Sequence, residues 1–328
     1  MSPRTTRPGL PAASISPGTG MPTTPPAEVE PAVVDDGDAR VLVAGLVDRL
    51  HAHTPLRVWS LIVTIFGDTV APRGGEIWAG TLQELLGAMR IDAAAVRAAL
   101  SRLARDGWLD RIKVGRLSYY ALSADGRAAF GPALARVYRR NRPGVSPRLH
   151  LFVLPEGEGR NGVRDQALKS GYGSLGASVL VGTSESVPLF RSEGGLLRLD
   201  AELAQGRPEE LVARAFDLEP LAARYRAFVS DFTPLAEALE GGVSLADHEA
   251  MVARTLLIHA YRRLILRDPV LPDEWLPDDW PGEAARALTA RLYALLAPPC
   301  AGWIARSARC RDGELPPPDP EDGFRFSN

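Results

Sequence analysis

The sequence predicts an α+β chain built of three folded parts, and three observations carry that reading. Helix-like and strand-like runs over residues 49–135 end in a two-stranded hairpin. A strand–helix–strand pattern follows a basic stretch that contains proline and glycine near residue 143. From Pro208 onward, apolar residues recur at helical spacing alone. The 328 residues are 45% hydrophobic and 24% charged, enough for two or three ordinary cores, so collagen-like, wholly disordered and disulfide-scaffold classes are excluded.

The elements follow in order. The first 40 residues hold 8 of the 28 prolines and show no apolar period, so residues 1–48 are expected to be a disordered tail. Val58, Leu61, Ile62, Ile65 and Phe66 mark a first helix that should stop at Gly67-Asp68. After the turn Arg73-Gly74-Gly75 comes a short apolar strand, Ile77-Trp78-Ala79. Thr81 and Glu84 then have capping-box spacing at the start of a second helix, which carries Leu82, Leu85, Leu86 and Met89. Asp92 can cap a third helix that runs to Asp106-Gly107. Two β-rich runs, 108–114 and 117–122, flank Gly115-Arg116 and read as a hairpin. Helix, short strand, helix, helix and hairpin form the order of a winged helix-turn-helix, here expected over residues 49–135.

Residues 136–147 are rich in arginine and read as a linker. Over 148–205, strands at 149–154, 177–181 and 196–199 with a helix at 163–170 predict a small ferredoxin-like domain. Residues 206–311 should form a helical domain from segments 211–216, 221–232, 245–267 and 283–309, interrupted by the proline- and acid-rich passage 270–281. Residues 312–328 return to tail composition.

The third helix carries the most chemistry. Val96, Leu100 and Leu103 form a buried stripe, which leaves Arg97, Ala98, Ser101, Arg102 and Arg105 outward. Arginine can bond a guanine edge bidentately, and small residues let a helix approach the major groove closely. Arg111, Lys113 and Arg116 on the hairpin are placed to meet phosphates. Because 36 of the 38 basic residues are arginines, a single arginine says little. Charge over a segment says more. The whole chain is net −2, but residues 90–148 hold 13 basic and 4 acidic residues, net +9, which leaves −11 elsewhere.

A resemblance becomes specific at this point. Phe66-Gly67-Asp68, Gly74-Gly75-Glu76-Ile77-Trp78, Ala95-Val96-Arg97-Ala98-Ala99-Leu100, Gly107-Trp108-Leu109 and Gly115-Arg116 before Ser118-Tyr119-Tyr120 resemble the N-terminal domain of PaaX-type regulators, which repress phenylacetate catabolism. Ile258-His259-Ala260-Tyr261-Arg262-Arg263, Arg267-Asp268-Pro269-Val270-Leu271-Pro272 and Leu276-Pro277-Asp278-Asp279-Trp280-Pro281-Gly282 resemble that family's other signature. The resemblance implies a winged-helix domain, a Cas2-like ferredoxin domain and a helical C-terminal domain. It also implies a homodimer on double-stranded operator DNA, released by an aryl- or acyl-coenzyme A thioester such as phenylacetyl-CoA. The long N-terminal tail, and a middle domain opening Arg148-Leu149-His150 without an aromatic residue, depart from the family pattern.

For that effector, His259, Arg262, Arg263 and Arg267 are candidate contacts, with Trp275 and Trp280 as candidate walls of an acyl pocket. The bland alternatives are a core histidine, arginines paired with the acids of 268–279, and tryptophans that pin a loop. Other signals are set aside. Gly171, Gly173 and Gly176 match G-x-G-x-x-G but lead into a strand, which suits a β-turn better than a dinucleotide site. A Cas2-like metal-dependent nuclease lacks the aspartate expected after the first strand, where Glu156 follows Pro155. His51 and His53 have no third metal ligand, and Cys300 and Cys310 read as free thiols. No catalytic residue, metal or cofactor is assigned. No apolar run approaches the ~20 residues of a membrane span, and no secretory signal is evident, so a cytoplasmic regulator is expected. An activator, or a regulator with another effector, is the alternative.

Overall fold

The computed structural model describes residues 36–52, 55–139, 148–157, 159–183, 197–319 and 325–326. It begins with a helix where a tail was expected. α1 (Asp36–Ala52) buries Ala39, Val43, Leu46 and Val47, spaced i, i+4, i+7 and i+8, against the C-terminal helices. The expected tail boundary at 48 is therefore corrected: residues 36–48 are helical, and the rest of that tail lies outside the described residues. His51 donates from Nε2 to the Met89 carbonyl at 2.9 Å, so it is a packing group, while His53 lies outside the described residues.

α2 (Val58–Ile65) does not stop at Gly67-Asp68. It widens into a π turn over Phe66–Val70 and then a 3-10 turn over Ala71–Arg73. A Cβ on Gly67 would come within 2.9 Å of Leu134, so the turn needs glycine to pass beneath the helix that follows the hairpin. β1 (Glu76–Trp78) leads into α3 (Ala79–Ala88). The expected capping box at Thr81 is not formed. Helix α3 starts earlier, and buried Thr81 donates to the Ser307 carbonyl at 3.2 Å. α4 (Ala93–Arg105) is capped by Asp92, whose carboxylate accepts from the Ala94 and Ala95 amides at 2.6 and 3.4 Å.

β2 (Leu109–Val114) and β3 (Leu117–Leu122) pair antiparallel with Val114 opposite Leu117, and the three-stranded sheet runs β1-β3-β2. Only Gly115 and Arg116 make the turn. Gly115 takes a φ of +57° while Arg116 does not enter the left-handed region, the pattern of a II′ hairpin with glycine first. α5 (Ala124–Val137) is capped by Ser123 and ends with Arg136, Val137 and Tyr138 buried. Residues 136–138 therefore belong to the core rather than to the expected linker, and Arg136 donates to the Asp268 carbonyl. Residues 140–147 lie outside the described residues.

The middle part has β4 (Leu149–Val153), α6 (Arg160–Lys169), β6 (Val179–Thr183) and β7 (Leu197–Ala201) in the predicted order, and adds a short strand, β5 (Gly173–Ser174), where the glycines were read as a turn. Its antiparallel sheet runs β5-β6-β4-β7. One face packs Phe152 and Leu180 on Ala167 of α6 and on Tyr172. The other packs Leu149 and Val181 on Val212 and Ala215 of α7 (Pro208–Ala215). Gly171, at a φ of +90°, starts the turn into β5, where a Cβ would meet the Arg267 and Asp268 carbonyls at 3.0 Å.

α8 (Glu219–Glu240), α9 (Asp247–Ile265) and α10 (Gly282–Ser307) complete the helical part, followed by a small ladder of β8 (Arg309–Cys310) and β9 (Gly313–Glu314). Helix α9 is the hub. Residues 250–259 are all buried, because α9 packs on α1, α2, α3, α5, α8 and α10. One apolar core runs from Ala39 through α2–α5 to Phe326, so the first and third parts share an interior. The second expected tail is corrected in the same way. Arg325 and Phe326 are docked in that core, the ring of Phe326 packing on Tyr138, Tyr261 and Tyr293. No helix among the described residues is long and apolar enough to cross a membrane.

Candidate nucleic-acid interface

Helix α4 presents the face that its spacing predicts. Val96, Ala99, Leu100 and Leu103 are buried, while Arg97, Ala98, Ser101, Arg102 and Arg105 face solvent. The buried stripe clamps α4 onto α2 and α3, which fixes the direction of the opposite face. Arg102 and Arg105 share Asp106 at 3.4 and 3.7 Å, both well exposed, so these pairs are weak and give way readily to a phosphate. On the hairpin, Arg111 donates to the Ser118 hydroxyl at 3.0 Å, which braces the two strands. Arg97, Lys113 and Arg116 make no ion pair among the described residues. Arg97, Ser101, Arg111 and Arg116 converge on a groove of about 420 Å³ between α3, α4 and the hairpin, whose floor includes Trp78, Leu100 and Tyr120. Helix α4 and the hairpin tip thus form one continuous cationic surface. Val114 and Leu117 flank the tip and are half exposed.

The six candidate effector residues do not form one site. His259, Arg263 and Arg267 line a groove of about 320 Å³ between α1 and the α8–α9 pair, with apolar walls from Leu46, Leu50, Phe228, Phe232, Leu256 and Leu264. Sequence reasoning missed Arg57 and Arg224 beside it. Burial, then Arg57 and Arg224, lower the Arg263 pKa. Burial, then Arg224, Arg263 and Arg57, lower that of Arg267. The expected docking of the acidic passage onto Arg262, Arg263 and Arg267 is not what the structure holds. Asp279 pairs instead with Arg226 at 2.9 Å, and Arg57, Arg224, Arg263 and Arg267 make no ion pair among the described residues. No local motif marks Arg57 and Arg224, which lie 167 residues apart in sequence.

Arg262 turns the other way. Its Nη2 donates to the Ser60 carbonyl and hydroxyl at 3.1 and 2.9 Å, its Nε has no partner among the described residues, and burial lowers its pKa to about 10. It lines a separate apolar cavity of about 350 Å³ whose walls include Trp59, Trp108, Phe130 and Leu134, beneath the end of α4 at Arg102, Leu103 and Asp106. His259 bridges the two regions. The buried Thr64 hydroxyl donates to the Ser60 carbonyl at 3.0 Å and sits 3.1 Å from His259 Nδ1. Burial, then Arg262 and Arg263, push its pKa down to about 3, so the ring is neutral. Trp275 is buried against Leu149, Val181 and Val212, and Trp280 packs edge-on to Tyr225 at 5.8 Å; neither lines the arginine groove.

Between the π turn, α9 and α10 lies a charged cluster that sequence reasoning did not anticipate. The π turn carries Asp68 into the core, 2% exposed, where it accepts from Arg254 Nε at 2.8 Å, Tyr138 at 2.6 Å, Tyr293 at 3.1 Å and Arg325 Nη1 at 3.3 Å. Burial alone would raise its pKa, but Arg254 and Arg325 outweigh it and bring the carboxyl below the usual range. The cluster joins α2, α5, α9, α10 and the C-terminal residues, so it ties the part bearing α4 to the helical part.

Comparison with known proteins follows the same two halves. A family model described as PaaX-like protein matches residues 57–126, and one described as PaaX-like protein C-terminal domain matches residues 216–306. The transcriptional repressor PaaX of Escherichia coli (strain K12) is 33% identical over 279 residues, covering 80% of this chain and 88% of the relative. Among solved structures, an uncharacterized protein from Mycobacterium tuberculosis is similar with a TM-score of 0.47 and 20% identity, over 74% of this chain and 97% of that one. With both of its halves matched in order and a relative aligned across most of its length, the chain belongs to the PaaX-like protein family.

Proposed function

We propose that this chain is a DNA-binding transcriptional repressor whose residues 55–139 act as a winged helix, with α4 in the major groove and the β2–β3 hairpin as the wing. The observation that carries the reading is the outer face of α4, where Arg97, Ser101, Arg102 and Arg105 continue into Arg111, Lys113 and Arg116 of the hairpin on one exposed cationic surface. The repressor relative supports the direction of control. The sheet order β5-β6-β4-β7, with α6 crossing between β4 and β5, supports a ferredoxin-like middle domain. Two copies reading successive half-sites suit the family.

The effector we propose is an acyl-coenzyme A thioester, of the aryl kind in a phenylacetate-type operon. The arginine groove supports it better than a site between the middle and C-terminal parts. Arg224, Arg263 and Arg267 line that groove, and with Arg57 nearby they make no ion pair among the described residues, its one carboxylate, Asp231, being paired with Arg49; such cations suit phosphates, beside apolar walls suited to an acyl group. Its occupation would draw α1 and α8 toward α9, which also packs on α2 behind α4, and so favour a state with weaker operator affinity.

The test starts from a DNA site selected out of a random pool by the purified chain. Arg97→Ala should weaken binding to that site by about 1–3 kcal/mol, roughly 5- to 150-fold, and relax preference at one base pair. Failure to recover any preferred site would overturn the repressor reading. For the effector, phenylacetyl-CoA and other thioesters are added to the bound complex. Release that is lost in Arg263→Glu is expected, and stabilisation without release would leave a ligand but remove the switch.

A further inference from the structure

We propose that the cavity behind α4 is a binding site for a small aromatic carboxylate, a ligand separate from the thioester of the arginine groove. About 350 Å³ in size, the cavity lies between α2, α4, α5 and α9, and Trp59, Trp108, Phe130, Leu134 and Val137 give it a mostly apolar wall. Trp108 and Phe130 meet edge to face at 5.9 Å, an arrangement that a further planar ring can extend. The exposed residues among its walls are Arg102, Asp106, Trp108 and Ala129, so it opens to solvent beside the end of α4.

The charges around the cavity define the ligand. Of its two carboxylates, Asp68 is matched by Arg254 and Arg325, and Asp106 by Arg102 and Arg105. Arg262 is the cation left over, with no carboxylate partner among the described residues. Its Nη2 is taken by Ser60, while its Nε is buried without an acceptor. A buried donor left unpaired is costly, and a ligand carboxylate would remove that cost and add a charge-assisted hydrogen bond. A coenzyme A thioester does not suit this cavity. Its phosphates would need further free cations, and the volume is at the lower end of the ~300–1,000 Å³ of small-molecule pockets. One ring with a short carboxylate arm suits both the space and the single charge.

Such a ligand acts on α4 from behind. Leu103 of α4 and Trp108 at the foot of the hairpin wall the cavity on one side, and Ile258 and Arg262 of α9 wall it on another. A molecule that touches both favours the arrangement in which α9 backs α4, and operator affinity should rise. That effect on DNA rests on the repressor reading above, whereas the site does not.

The site is tested by titrating the full chain with benzoate and with cinnamate, followed by calorimetry and by melting temperature. One molecule per chain is expected, half-saturating between about 1 μM and 1 mM. Arg262→Met should weaken binding about 10- to 150-fold, the worth of one hydrogen bond to a charged group. Toluene, which has the ring without the charge, should bind the wild type and Arg262→Met alike. Ala133→Leu, which fills the cavity from α5, should abolish binding of both acids and of toluene, and Arg263→Glu in the arginine groove should change neither. No binding of either acid, binding that survives Ala133→Leu, or binding lost in Arg263→Glu but kept in Arg262→Met overturns the site. With operator DNA, saturating benzoate should raise affinity for the wild type and not for Ala133→Leu. Binding without that rise overturns the action on α4 alone, and failure to recover any operator overturns the repressor reading and leaves the site standing.

Discussion

Replacing Asp68 by alanine should be among the most damaging single changes in the chain. The carboxylate receives hydrogen bonds from two guanidiniums, Arg254 and Arg325, and from two phenols, and is almost wholly removed from water. Arginine does not discharge at ordinary pH, so the substitution leaves two buried cations without their counter-charge. Breaking a buried pair in this way costs about 3–5 kcal/mol, much of it the penalty of the stranded charge rather than the worth of the bonds. The assay is urea unfolding of the full chain at pH 7, followed by far-UV circular dichroism and tryptophan fluorescence, with coincident curves required before a free energy is taken. Adding Arg254→Met should recover part of the loss, because an apolar replacement of both partners can be nearly neutral. The pH dependence has a definite sign. A carboxyl whose folded pKa lies below its unfolded value of about 3.9 contributes stability above that value and loses it as pH falls through the folded one. The wild type should therefore fall more steeply than Asp68→Ala in acid below about pH 4. A loss under about 1 kcal/mol, or no recovery in the double variant, would refute the account of this cluster.

Three further outcomes are expected. His259 is held near a pKa of 3 against about 6.5 unfolded, so between those values the unfolded chain binds more protons and stability should drop by about 1.4 kcal/mol per pH unit of acidification. His259→Gln should flatten that slope whatever its baseline stability, and parallel slopes would show the ring to be less enclosed than described. Phe326→Ala should cost about 3–5 kcal/mol in the same urea assay, as for a core phenylalanine, and an unchanged midpoint would mean that the C-terminal residues do not dock. Lys113→Ala should lower the slope of log affinity against log salt on operator DNA by about one unit if the lysine neutralises a phosphate. An unchanged slope would remove it from the interface.

Helix α4 was legible because its evidence is local. Asp92 caps it, Val96, Leu100 and Leu103 repeat at helical spacing, and the arginines occupy the complementary positions. The hairpin was legible for the same reason, since Gly115-Arg116 admits a two-residue turn and β-rich runs flank it. Helix α1 was not, because its small stripe of Ala39, Val43 and Val47 follows proline-rich sequence and is stabilised by contact with α8 and α9 rather than by its own composition. The ends of the chain misled similarly. Arg325 and Phe326 sit in tail-like sequence, and only the partners Asp68, Tyr138, Tyr261 and Tyr293 make burying them favourable.

The sequence by itself determined α4 and the β2–β3 hairpin, the concentration of positive charge over residues 90–148 and the outward face of α4, because periodicity, capping, turn residues and charge are read from the chain itself. Tertiary structure decided which arginines are paired. Arg254 is committed to Asp68 from 186 residues away, Arg262 to Ser60 from 202, while Arg263 on the same helix and Arg267 just past its end are left facing a groove. Neighbours on a helix point about 100° apart, so residues adjacent in sequence answer to different parts of the fold, and only the packing around α9 assigns each its partner.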